Sequence, residues 1–291
     1  MPLLVIGARA PWLSTITMTL PLELLMHICD FAASTGDRRT LKQCSLICSQ
    51  LAIHCRGYLF ARVTLTINER SVADQRRVQR LETMMEKNRG IGRCIKSLSI
   101  QFSSCYDHTS LPPFLAMCTG VVSLELSVFY VWSEEWTARP TLLPDATDAA
   151  LDCILSSGSL AKLSISGFQT PTQAFFAACH ASLKHLTIGD ESATQALSSE
   201  KGRIGSPIHL QYLEARPMTL SQLASAERED GRAVFNFSQL RQVSTRFKEL
   251  EDDTQHINTL LHSGVPLETL SLFLTGKVTS FLQGFQLLID F

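Results

Sequence analysis

Cys44, Cys48, His54 and Cys55 fall within twelve residues and are all of types that ligate metal ions. Thiolate and imidazole together suit zinc. On a helix, Cys44 and Cys48 would lie one turn apart and could face one ion. Structural zinc sites, however, use tighter pairs such as C-x-x-C on turns, and none of the nine cysteines forms one. These residues therefore read as small members of a helical core. Gly276-Lys277 with Thr279 has the outline of a phosphate loop, but its first glycine would have to stand at 271, which is serine. A turn after a strand accounts for it better. Glu251-Asp252-Asp253 suits a helix N-terminus, where the macrodipole favours carboxylates. There is no G-x-S-x-G elbow, no H-E-x-x-H and no dinucleotide glycine pattern. No catalytic residue, no metal and no cofactor is expected.

Two further clusters bear on binding. Residues 62–96 carry nine basic groups (Arg62, Arg70, Arg76, Arg77, Arg80, Lys87, Arg89, Arg93 and Lys96) against four acidic ones, an excess of five. Val72, Val78, Leu81, Met84 and Met85 run through this stretch at helical spacing, so it reads as the solvated face of an amphipathic helix. No nucleic acid is expected as a partner. Phe129, Tyr130, Trp132 and Trp136 form the densest aromatic cluster. They are a recognition hot spot if exposed and core if the loop folds back.

A chain of 291 residues with 45% hydrophobic and 18% charged residues has material for a sizeable folded core. A formal net charge of −1 gives no global field for polyanions or anionic lipid. No stretch reaches the roughly 18 apolar residues of a membrane helix, so no membrane association is expected. Leu3-Leu4-Val5-Ile6 is too short for a signal-peptide core. Residues 1–17 are read as a loose leader, with Met18 an alternative start. Unpaired thiols among apolar neighbours point to a reducing compartment, the cytoplasm or nucleus.

The elements that would position these residues begin at Leu20. Pro21 suits the first position of a helix, and Leu24, Leu25, Ile28 and Ala32 follow at helical spacing. Gly36 interrupts the pattern. A second helix starts from Asp37 or Thr40 and carries Leu41, Cys44, Ile47, Cys48 and Leu51 along one side. A unit of about forty residues buries too little surface to stand alone, so its excess apolar surface must meet something else. The residues Leu20-Pro21-x-Glu23-Leu24-Leu25-x-x-Ile28, then Leu41-x-x-Cys44-Ser45-x-Ile47-Cys48, resemble an F-box. Leu59-Phe60-x-x-Val63-x-Leu65 resembles the segment that follows one in fungal-type members of that family. The resemblance spans about residues 18–65 and implies a three-helix unit that docks on the Skp-type adaptor of cullin-RING ubiquitin ligases. It assigns adaptor contact to Leu20, Pro21, Leu24, Ile47, Cys48 and Leu51. Leu51 stands where the family usually has tryptophan.

Beyond residue 90 one pattern recurs: Ile95-x-x-Leu98-x-Ile100, Val121-x-x-Leu124-x-Leu126, Leu160-x-x-Leu163-x-Ile165, Leu183-x-x-Leu186-x-Ile188 and Leu267-x-x-Leu270-x-Leu272. Weaker copies centre on Leu213 and Val243. Most intervals lie in the twenties, enough for one strand, one helix and two turns. Such a unit covers its apolar flank only by stacking on a neighbour. Ala146–Ser157 has helical spacing and is followed by Gly158. Residues 66–291 resemble an irregular leucine-rich-repeat solenoid, with parallel strands on one face and helices on the other. The overall expectation is α/β: a helical F-box, then the solenoid. Residues 278–290 are expected to form an apolar C-terminal helix with exposed surface.

This resemblance implies a substrate-recognition subunit of a ubiquitin ligase, bound through the adaptor to a cullin. It would present a target protein on Ser99, Glu125, Ser164, Thr187 and Glu214 of the strand face and on Phe129, Trp132 and Trp136 of the loop. The alternative is a leucine-rich interaction scaffold with a degenerate F-box and no ligase role.

Overall fold

The computed structural model describes residues 20–68, 71–103, 110–128, 145–167, 176, 178–189, 206–224, 226, 233–247, 266–274 and 286–290. The expectations for the 1–17 leader, for Phe129, Trp132 and Trp136, for the acidic run 251–253 and for the 276–279 turn lie outside these residues.

Three helices come first: α1 (Leu22–Ser34), α2 (Arg38–Cys44) and α3 (Ser49–Leu59). Pro21 is the N-cap of α1, with ψ 143°, so the helix begins one residue later than the proline rule suggested. Gly36 takes φ +75° just past the end of α1, a conformation open to glycine. This lets the Asp37 N–H reach back to the Ala32 carbonyl at 2.8 Å. The Asp37 carboxylate then caps α2, accepting from the Arg39 and Thr40 N–H groups at 3.0 and 3.1 Å. The single second helix expected through Leu51 is in fact two. The Ser45 hydroxyl donates to the Lys42 carbonyl at 2.7 Å, competing with the helical ladder. Cys48 is extended and caps α3. Cys29, Ala32, Leu41, Cys44, Leu51 and Cys55 form the core of this unit, separate from the main core.

The main core belongs to a nine-stranded sheet. Its strands are β1 (Arg62–Ile67), β2 (Ser97–Phe102), β3 (Ser123–Val128), β4 (Lys162–Ser166), β5 (His185–Ile188), β7 (Tyr212–Glu214), β9 (Gln242–Phe247), β10 (Thr269–Leu274) and β11 (Gln286–Asp290). Strands β6 (Ile208–His209) and β8 (Phe235–Asn236) pair separately. Order in the sheet follows order in the chain, and all neighbours are parallel except β10 and β11. One ladder aligns Val63, Leu98, Leu124, Leu163, Leu186, Leu213, Val243 and Leu270, and every one is buried. Neighbouring strands also start alike. A single carbonyl at each strand entry accepts from two successive N–H groups of the next strand, as Lys96 does from Val122 and Ser123, and Arg241 from Glu268 and Thr269.

Helices α4 (Val72–Lys87), α5 (Gly90–Cys94), α6 (Leu111–Met117), α7 (Asp145–Leu155) and α8 (Pro217–Ala224) complete the described elements. Val78, Met85, Phe114, Leu151, Leu155 and Leu220 share one buried cluster with the apolar rows of the sheet. The helices thus cover that face, and the fold is α/β with a mostly parallel sheet. No described helix is long and apolar enough to cross a membrane.

Two boundaries differ from expectation. Strand β1 begins at Arg62, inside the segment assigned to the helical unit, and Val63 and Leu65 belong to the main core. Within the segment expected to be a C-terminal helix, Gln286–Asp290 is a strand, and 278–285 lie outside the described residues. Its run of Leu287, Leu288 and Ile289 fits either period, and the free edge of β10 supplies the ladder partners that decide.

Candidate functional site

Two surfaces could meet a partner. The first is on the three-helix unit. Leu24, Ile28 and Phe31 follow one another at helical spacing along one side of α1, and Leu20 precedes them just before the helix begins. All are exposed, Leu24 at 46% and Phe31 at 71%, and Leu46 and Ile53 on the same unit are exposed at 85% and 66%. Six large apolar side chains facing solvent on so small a unit are unusual for a monomeric surface.

The structure divides the residues expected to contact the adaptor. Leu20, Pro21 and Leu24 are exposed. Ile47 and Cys48 are half-buried and pack against the unit's own core. Leu51 is 0% exposed, so its place among contact residues is corrected: it is buried in the unit's own core together with Cys29 and Cys55. Phe31, Leu46 and Ile53 were not foreseen. Phe31 could have been found, since it continues the Leu24–Ile28 spacing by three.

The unit is tied together below the stripe. Asp30 on α1 accepts from the Tyr58 hydroxyl at 2.8 Å and pairs with His54 Nε2 at 2.6 Å, both on α3. The Tyr58 hydrogen bond, then that of His54, holds the Asp30 carboxyl below the usual carboxylate range. Between the helices, Cys55 Sγ lies 3.5 Å from Cys29 Sγ. Burial pushes the Cys29, Cys44 and Cys55 thiols up, Cys44 to about 11. Among the described residues no group of three or more His, Cys, Asp or Glu is arranged to hold a metal ion.

The second surface is the sheet face away from the helices. Ser99, Glu125, Ser164, Thr187 and Glu214 come into one ladder row, continued by Thr64, Ser244 and Ser271 at its ends. The sequence pattern thus assembles these residues in space. The row is mostly hydroxyl-bearing, which leaves the face shallow. Its anchors stand one row away: the His185 and Tyr212 rings lie 5.9 Å apart, tilted by 35°. The Tyr212 hydroxyl donates to Glu214 Oε2 at 3.0 Å, and Arg246 lies 3.7 Å from Glu214 Oε1. Burial, then the Glu214 charge, pushes the Tyr212 phenol up. Burial, then the nearby Lys162, pushes His185 down, so its imidazole is neutral at pH 7. Sequence reading missed His185 and Tyr212, though each stands two residues before an expected contact and so on the same face.

The sequence matches no protein-family model, and no curated protein is significantly similar to it.

Proposed function

We propose that the chain is an F-box protein with a leucine-rich-repeat solenoid: a substrate-recognition subunit of a cullin-RING ubiquitin ligase. The three-helix unit docks on a Skp-type adaptor, and the open sheet face presents a target protein. The chain catalyses nothing itself and works inside the cell, in the cytoplasm or nucleus. It raises the effective concentration of target lysines near the ubiquitin-charged enzyme. The observation that carries this reading is the exposed stripe Leu20–Leu24–Ile28–Phe31, an apolar surface of the kind a permanent partner covers. The in-register row from Ser99 to Glu214 supports the second half.

The test is direct binding of the purified full chain to a Skp-type adaptor by titration calorimetry. Wild type should bind. L24A/I28A/F31A should bind at least ~100-fold more weakly, since each buried side chain is worth roughly 1.5–3 kcal/mol. Absence of binding by wild type would overturn the ligase reading.

The burial of Leu51, with Ile47 and Cys48 half-buried, favours a second reading. Half of the family's contact set is absorbed by the unit's own core, as a leucine-rich scaffold with a degenerate F-box would have it.

A further inference from the structure

Helix α4 presents a basic side that is distinct from both surfaces described above. Its Val78 and Met85 are buried in the main core, which fixes the opposite side outward. On that outward side stand Arg76, Arg80 and Lys87, at spacings of four and seven. At 1.5 Å per residue they span about 16 Å along the helix. With Gln79, Thr83 and Met84 they line one shallow open concavity, in which no described acidic residue takes part. The three cations are exposed and make no ion pair among the described residues. Glu82 and Glu86 lie roughly 100° or more round the helix from the stripe. Residues 62–96 carry an excess of five positive charges while the whole chain carries −1, so the remainder is −6 (−1 − 5). The positive charge is thus concentrated here on an otherwise acidic molecule.

We propose that this stripe binds an acidic segment of a partner protein, one with carboxylates spaced along a helix or extended strand. Three cations match such a segment. They fall short of the six to ten phosphate contacts typical of a nucleic-acid site, and no described aromatic side chain lines the concavity for bases to stack on. Between the cations, Thr83 and the half-buried Met84 offer a polar and an apolar contact to a peptide side chain.

The experiment uses the full-length chain and a fluorescein-labelled decaglutamate peptide, read by anisotropy at low and at physiological salt. Wild type should bind with marked salt dependence. R76Q/R80Q/K87Q should bind at least tenfold more weakly, and R39Q/K42Q/K184Q, which removes equal charge elsewhere, within about twofold of wild type. The reversed variant R76E/R80E/K87E should instead capture a decalysine peptide that wild type ignores. Equal loss in both neutralised triples would overturn the proposal, reducing the effect to net charge. So would tighter binding of single-stranded or duplex DNA of equal charge, or no binding of the peptide at all.

Discussion

Gly120 lies so close to Arg93 that a β-carbon on it would overlap the Arg93 carbonyl oxygen. Gly92 stands in the same relation to the carbonyl of Met117. The two glycines interlock α5 with the end of α6 and the turn after it. Replacing Gly120 with alanine should destabilise the protein by about 1–3 kcal/mol, since backbone must shift to make room. Gly57, inside α3 with nothing within 4 Å of its β-position, is the counterpart. Gly57→Ala should stabilise by roughly 0.5–1 kcal/mol. Urea denaturation of the two variants measures both, and a neutral Gly120→Ala would contradict the interlock.

Leu51 and Leu24 should behave oppositely. Leu51→Ala leaves a cavity in the three-helix core and should cost about 2–5 kcal/mol, read as early loss of that unit on heating. Leu24→Ala, on the exposed stripe, should change stability by no more than about 0.5 kcal/mol. Any effect of Leu24→Ala on adaptor binding is then a contact effect and not unfolding.

Thiol reactivity should follow burial. Burial pushes Cys118 and Cys179 up to about 12, while Cys153 is exposed. In native protein at pH 7.5, iodoacetamide should modify Cys153 promptly. Cys29, Cys55, Cys118 and Cys179 should react only once denaturant is added. Mass spectrometry of time points gives the order, and prompt native labelling of Cys29 or Cys55 would contradict the packing of α1 against α3.

His185 should make stability depend on pH. Its folded pKa lies below the ordinary 6.5 because burial, then Lys162, disfavours the imidazolium. Below 6.5 the unfolded chain therefore binds a proton that the folded chain resists, and stability falls as the pH drops through that window. The groups facing His185 are Lys162 and Tyr212 on the flanking strands. In His185→Gln the decline should be shallower, measured as the denaturation midpoint from pH 7.5 down to pH 5. A parallel decline in both proteins would assign the effect elsewhere.

The sheet was legible residue by residue. Positions 98, 124, 163, 186, 213, 243 and 270, picked out by a recurring leucine pattern, all proved buried and mutually aligned. Strand β1 escaped notice because Phe60-x-x-Val63-x-Leu65, although it carries the same pattern, follows a helix directly and reads as the tail of the helical unit. The C-terminal strand was read as a helix because a short apolar run has no distinguishing period. In the helical unit the error was a break: the chain from Leu41 to Leu51 reads as one amphipathic helix, but it divides into α2 and α3, and Leu51 joins Leu41 and Cys44 in their common core from the second of them.

Alternation along a strand is a property of the covalent chain, so the sequence alone could assign Ser99, Glu125, Ser164, Thr187 and Glu214 to the face opposite the leucines. Repeats of similar length then bring equivalent positions into register with no further information. The three-helix unit offers no such rule. It has one small interior and more apolar side chains than that interior can hold, and helical spacing alone does not say which stay outside. Packing of α1 against α2 and α3 chose Cys29, Ala32 and Leu51 for the core and left Leu24, Ile28 and Phe31 in water. Likewise His185, Tyr212, Glu214 and Arg246 are scattered along the chain, and their cluster exists only because parallel pairing sets strands β5, β7 and β9 side by side.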